Sequence, residues 1–245
     1  MNERIITFSA SKMLAEDKEL QPEPAKLNIP DWYKKVPNPL DKRTIKMCKP
    51  FLDSLTAGYI LKNPIDQKIN FNTPDPNGKN NTWVEVHPNL EIFGEIFRQS
   101  MNFNSGTETH NIEQVGGMTC PYVKQNKAFD IYKILNPWTV NVPAGYSILY
   151  MPPINRPDDR FEIISGIVDG DHPLPANFPC VFKKEGSWIL EKGTPIASVF
   201  PFKREAWKMK MEQHDEKDFL KKAFNYASKL KKWYAEKYWK RNKWN

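Results

Sequence analysis

Cysteine is scarce in this chain of 245 residues: Cys48, Cys120 and Cys180 lie far apart, with no Cys-x-x-Cys pair. An odd, dispersed set of thiols excludes a disulfide framework and a cysteine-built zinc site, and it suits a reducing compartment. Long apolar runs are missing as well. None approaches the roughly 18–20 residues that a membrane-spanning helix needs, so no membrane span is expected. The opening MNERIITFSASKMLAEDKEL is interrupted by Glu3, Arg4 and Lys12 and does not read as a secretory signal. Glycine is also sparse, with 11 residues. Gly58 and the Gly116–Gly117 pair read as turns or bulges, because no Lys-Ser/Thr and helix follow them as a phosphate loop requires. What is there is a 40% hydrophobic composition, enough for one large packed core with an appendage.

Charge is unevenly placed. The net charge is +7, yet residues 203–245 hold 14 Lys/Arg against 6 Asp/Glu, and the rest of the chain is close to neutral. The basic character therefore belongs to a tail and not to the whole fold.

Three regions follow from the pattern. Residues 1–50 contain six prolines, which argues against a helix or a central strand and for an extended arm anchored by Trp32, Tyr33 and Val36. Residues 51–202 read as short strands broken by Pro, Gly and Asn. Strands are expected at 82–86, 131–135, 146–150, 161–168, 179–182, 188–190 and 196–200. NTPDPNGKNN (72–81) is a loop by composition, and 90–101 fits a helix or a strand equally. Residues 203–245 change character again. Phe219, Leu220, Ala223, Phe224, Ala227, Leu230, Tyr234 and Tyr238 fall at helical spacing and form an apolar stripe on a long basic helix.

Four short pieces stand in a fixed order across 139–200: VPAGY (142–146), Pro152, SGIVDGDH (165–172) and EKGTPIASVF (191–200). Upstream is DSLTAGYIL (53–61). The ordered set resembles the dUTPase and dCTP-deaminase superfamily. The resemblance implies a mainly β fold, a β-clip (jelly-roll-like) core, with a loop-rich insertion at about 73–138 and the long C-terminal amphipathic helix appended. It also implies a homo-oligomer, with a trimer as a common form among such scaffolds. In that family Asp169 would orient an attacking water, and His172 would take the place of the residue under the sugar. Tyr59, Asn155 and Arg156 would sit where nucleotide is bound. Mg²⁺ would be needed only by a nucleotide hydrolase; otherwise no cofactor is expected. The texture of PFLDSLTAGYI and KILNPWTVNVPAGYS also resembles proteins of tailed phages, which implies virion or other phage proteins as partners, in the host cytoplasm or the virion.

The departures from the family pattern matter as much. Ile60 replaces the first motif's Asp. Pro152, Pro153, Ile154 and Asn155 replace the Pro-Arg-Ser-Gly phosphate clamp, and Ser198 replaces the fourth motif's Gln. Phosphoryl transfer depends on positioning and charge neutralisation, so loss of the clamp points to a non-catalytic binding or assembly protein. A divergent nucleotide hydrolase built on Asp169 is the alternative. A third reading joins Glu85, His87, His110 and Glu113 into a His/carboxylate oxygenase site, although solvated strand residues explain the same pattern, and no metal site is otherwise indicated. The basic tail, with Lys231, Lys232, Trp233, Lys240 and Arg241, suits nucleic acid, a membrane surface or a partner subunit.

Overall fold

The computed structural model describes residues 4–38, 44–72, 82–86, 107–110, 113–116, 119–126, 131–171, 175–228, 239–240 and 244. Fourteen strands occur among them: β1 Thr7–Ser9, β2 Glu23–Pro24, β3 Tyr59–Lys62, β4 Gln67–Phe71, β5 Trp83–Val86, β6 Thr107–His110, β7 Ile131–Ile134, β8 Thr139–Asn141, β9 Tyr146–Met151, β10 Phe161–Ile163, β11 Gly166–Val168, β12 Phe178–Phe182, β13 Gly186–Leu190 and β14 Pro195–Lys203. The helices are α1 Lys12–Glu16, α2 Asp31–Lys35, α3 Lys49–Thr56, α4 Pro121–Asn126 and α5 Glu216–Ser228. The fold is mainly β.

The chain divides into two units. Residues 1–23 and 58–203 form the larger, and 24–57 with 204–245 form the smaller. The proline-rich stretch treated above as one arm is thus shared between the two. Within it the prolines admit short helices: α2 starts directly after Pro30, where a missing N–H costs nothing. In the smaller unit Tyr33 is the buried anchor of that stretch and stacks on Phe51 of α3 at 5.8 Å, while Trp32 stays 43% exposed. Charge follows the same division. The smaller unit carries 20 Lys/Arg against 9 Asp/Glu, a net of +11, and the larger carries 16 against 20, a net of −4.

The larger unit holds sheets in the orders β11-β9-β14-β3-β2, β10-β12-β7-β6 and β13-β4-β5, with a β1-β8 pair, and its central pairings are antiparallel. One hydrophobic cluster joins them. Ile148 and Tyr150 of β9, Leu61 of β3 and Val199 of β14 meet Ile69 and Phe71 of β4, Phe178 and Phe182 of β12 and Leu190 of β13. Strand alternation explains β12: Phe178, Cys180 and Phe182 enter this cluster, while Val181 turns to the other face. There Val181 and Ile131 are covered by Val123 of α4. The expected strand 161–168 is in fact two, β10 and β11. Ile164 and Ser165 break it, and the two halves go to different sheets. Strands β6 and β7 fall within the stretch expected to be a loop-rich insertion, and β7 lies inside the four-stranded sheet. Residues 73–81 of the expected loop and all of 90–101 lie outside the described residues.

The chain crosses between the five-stranded and three-stranded sheets twice, from β3 to β4 and from β13 to β14, and Asn63 binds both crossings. It is fully buried. Its Nδ2 donates to the carbonyls of Ile65, of Leu190 at 3.0 Å and of Glu191 at 3.1 Å, and its Oδ1 accepts from Gln67 Nε2 at 2.8 Å. Its backbone donates to the Thr194 carbonyl and accepts from the Gly193 N–H, both at 2.8 Å. Removing this amide strands buried carbonyls with no water to replace it. Asn63→Ala should therefore cost at least about 2 kcal/mol in chemical denaturation. Asn63→Asp, which sets a carboxylate against those carbonyls, should cost more still.

Candidate functional site

The pieces that carry the family resemblance come together in one sheet. Pro143 to Tyr146 form a tight turn, closed by the Tyr146 N–H on the Pro143 carbonyl at 3.1 Å, with Gly145 at a φ of +82°. That backbone shape is one that glycine takes without strain. The turn delivers β9, which pairs with β11 on one side and with β14 on the other. Strand β14 in turn pairs with β3, where Ser198 lies opposite Ile60. Gly58, just before β3, has a φ of +72°, and a Cβ there would lie 2.5 Å from the Val199 carbonyl, so its backbone touches β14 directly. Ile60, standing where the family has an acid, is wholly buried.

Asp169 directly follows β11 and faces the start of β9. Its side chain is exposed, and its Oδ1 accepts from the buried hydroxyl of Ser147 at 2.9 Å. Nearby, Asp171 Oδ2 accepts from the Gly145 N–H at 3.2 Å, and the Val142 N–H donates to the Gly170 carbonyl at 2.9 Å. The β11 end is thereby tied to the turn before β9.

Asn155 and Arg156 lie beyond the other end of β9. After Met151 the chain makes a turn in which the Arg156 N–H donates to the Pro153 carbonyl at 3.1 Å and Asn155 takes a φ of +55°. The Ile154 N–H donates to Ser198 Oγ at 3.2 Å, so this serine holds the turn in place. Arg156 Nη1 donates to the Ile154 carbonyl at 2.9 Å, and burial pushes its guanidinium pKa down. The turn walls a cavity of about 330 Å³, lined by Pro152, Pro153, Asn155, Arg156, Asp158 and Lys183 among others. This is the size of a small-ligand pocket. The carboxylates in its lining are engaged: Glu162 pairs with Lys183, and Asp158 with Arg160. The lining includes no His, Cys, Ser, Thr or Tyr. Such a cavity can hold a ligand, and its amine and carboxylates, Lys183, Glu162 and Asp158, are engaged in ion pairs.

Beside the cavity Arg160 forms the best-connected ionic group among the described residues. Its Nε and Nη2 bind the two carboxylate oxygens of Asp158 at 3.0 and 2.9 Å. Its Nη1 reaches the Ile189 carbonyl at 2.6 Å and Glu191 Oε2 at 2.7 Å. The guanidinium also lies over the Trp188 ring at 5.7 Å. Burial pushes the Asp158 carboxyl up, but its bonds to Arg160 outweigh that and leave it below the ordinary carboxylate range. The sequence reading did not single out this group. Asp158 and Arg160 stand two apart in a polar stretch, and the pairing appears only once β13 brings in Ile189 and Glu191.

The candidate residues are therefore not gathered into one place. Asn155 and Arg156 share the cavity. Asp169 is bound at Ser147, about 13 Å back along β9 from Met151 at roughly 3.3 Å per residue. Tyr59 packs edge-on against Phe8 of β1 with ring centroids 5.4 Å apart, and burial raises its phenol pKa. Lys240 is exposed. His172, Lys231, Lys232, Trp233 and Arg241 lie outside the described residues. Glu85 is on β5 and paired with Lys68, whereas His110 is on β6 in another sheet. His87 lies outside the described residues. No three His, Cys, Asp or Glu side chains converge on a metal site among the described residues. No described helix is long and apolar enough to cross a membrane. No protein-family model, curated protein or solved structure matches this chain.

Because the folded Asp158 carboxyl titrates below its ordinary value of 3.8, its contribution is complete above that value and is lost as pH falls through the lower folded pKa. Asp158→Asn should lower stability near neutral pH by about 1–3 kcal/mol. The difference from wild type should shrink as pH falls below that ordinary value and through the lower folded pKa. Denaturation curves across that range check both halves of the expectation.

Proposed function

We propose that this chain is a non-catalytic binding and assembly protein on a dUTPase-like β-clip scaffold, phage-encoded, working as a homo-oligomer among virion or other phage proteins. The observation that carries this reading is the distance between the parts of a would-be active site. The residue that would orient water, Asp169, is tied to Ser147 at one end of β9. The side chain that would hold phosphate, Arg156, lies past the other end and bonds to its own turn. The polar groups that would have been spent on substrate are spent on the fold: Ser198 holds the Ile154 N–H, and Ile60 fills the core. Phosphoryl transfer without a clamp and a positioned water has little to draw on. The Arg156 cavity remains a place for a small ligand to bind without being changed.

The competing reading is a divergent nucleotide hydrolase, and its support is the fixed carboxylate of Asp169. The two are separated by incubating the purified chain with each deoxynucleoside triphosphate and Mg²⁺ and following release of phosphate or pyrophosphate. No turnover above background is expected, and Asp169→Asn should leave that background unchanged. Turnover that Asp169→Asn abolishes would establish the hydrolase instead.

A further inference from the structure

The cavity beside the turn after β9 is walled largely by groups that cannot donate a hydrogen bond. Pro152, Pro153, Pro157 and Pro195 all line it, and a proline has no N–H to offer. Two more N–H groups of the turn are spent within the fold, that of Ile154 on Ser198 Oγ and that of Arg156 on the Pro153 carbonyl. Phosphate sites draw on several backbone N–H groups at once, and these positions cannot supply them. Side-chain charge is committed in the same way, with Lys183 paired to Glu162 and Asp158 to Arg160. Arg156 differs. Its Nη1 donates to the Ile154 carbonyl at 2.9 Å, which ties the guanidinium to its own turn. Burial still pushes its pKa below the ordinary arginine value, so the contacts it makes do not offset the cost of taking its charge out of water. The neighbouring residue is under constraint as well. Asn155 holds a φ of +55°, the one non-glycine residue with a positive φ among the described residues, and strain of that kind gathers where ligands are clamped.

We propose that this cavity binds a small organic monocarboxylate with an apolar body, the carboxylate on Arg156 and the body against the proline rings and Phe161. A guanidinium presents its N–H groups as a planar fork that matches the two oxygens of a carboxylate, and one such pair balances one negative charge. Forming it would return to Arg156 the charge stabilisation that burial removes. A phosphate ester carries nearly two charges near neutral pH. It would call for a second cation, and Lys183 would first have to leave Glu162. A nucleoside triphosphate asks for more still. Size agrees, since about 330 Å³ is at the small end of ligand pockets. The apolar wall is also rigid before anything binds. Proline rings do not rotate, and Phe161 is only 4% exposed within the core cluster, so little side-chain freedom is lost on binding.

The carboxylate site rests on the non-catalytic reading, in which this cavity holds a ligand without changing it, and it names that ligand's class. The test titrates the full chain near neutral pH with benzoate, benzamide and phenyl phosphate, followed by its amide NMR spectrum. Benzoate should bind, with shifts centred on Asn155, Arg156 and Lys183. Benzamide, the same shape without the charge, should bind at least about tenfold more weakly. Phenyl phosphate should bind no more tightly than benzoate. Arg156→Gln should lose benzoate affinity by a factor similar to that for benzamide, and Arg156→Lys, a point charge without the fork, should recover part of it. Should Arg156→Gln fail to fold, the comparison of benzoate with benzamide on the wild type decides alone. No binding of benzoate, benzamide bound as tightly as benzoate, or shifts centred away from the cavity would overturn the proposal. So would tighter binding of phenyl phosphate, which would mark a phosphate site instead. None of these titrations depends on nucleotide turnover, so failure of the carboxylate site and failure of the non-catalytic reading are told apart.

Discussion

A carboxamide with no water to turn to fixes the corner of this fold. Asn63 sits where two antiparallel sheets share chain, and each crossing leaves backbone carbonyls pointing into the core. A buried carbonyl without a donor costs about as much as a lost hydrogen bond. One side chain answers several such groups at once, at Ile65, Leu190 and Glu191, and its own oxygen is answered by Gln67. Leucine would fill the space and leave the carbonyls unmet. With this corner fixed, β3 and β14 are held in one sheet and β4 and β13 in the other, and the hydrophobic side chains of both can share a single cluster.

From that corner the position of each functional candidate follows. Strand β14 is held by β3 on one side and delivers Ser198 to the turn after β9. Strand β9 is held on its other side by β11, which delivers Asp169 to Ser147. An antiparallel strand separates its two ends by its full length, so a group bound at the start of β9 and a cavity beyond its end cannot act on the same small substrate within one chain.

Legibility in the sequence followed the range of the interactions. Strands β9, β12 and β14 could be read because their apolar runs are local and bounded by turn residues such as Gly145 and Gly193. The division of 161–168 into β10 and β11 could not, since Phe161, Ile163, Ile167 and Val168 make one apolar run; what separates them is which neighbour each pairs with, Val181 and Cys180 for one and Ile148 and Leu149 for the other. Strands β3 and β4 were equally hard to see, because Asn63, Pro64 and Asp66 look like loop residues until Asn63 is buried. The prolines of the N-terminal stretch were read as barring helices, whereas Pro30 starts one. Of the candidate site, Asn155 and Arg156, consecutive in the chain, both line the cavity. The Asp158–Arg160–Glu191 group did not show, since its members come from separate strands and loops.

The basic tail illustrates a different gap between pattern and structure. The long helix expected over 203–245 is not what the described residues form: 204–215 are irregular, and α5, with Phe219, Leu220 and Phe224, starts only at Glu216. Periodicity records only that a face is apolar and says nothing of what covers it. The alternation at Trp207, Met209 and Met211 was present in the sequence too, but beside a strong helical pattern a short two-residue period in a lysine-rich stretch reads as noise.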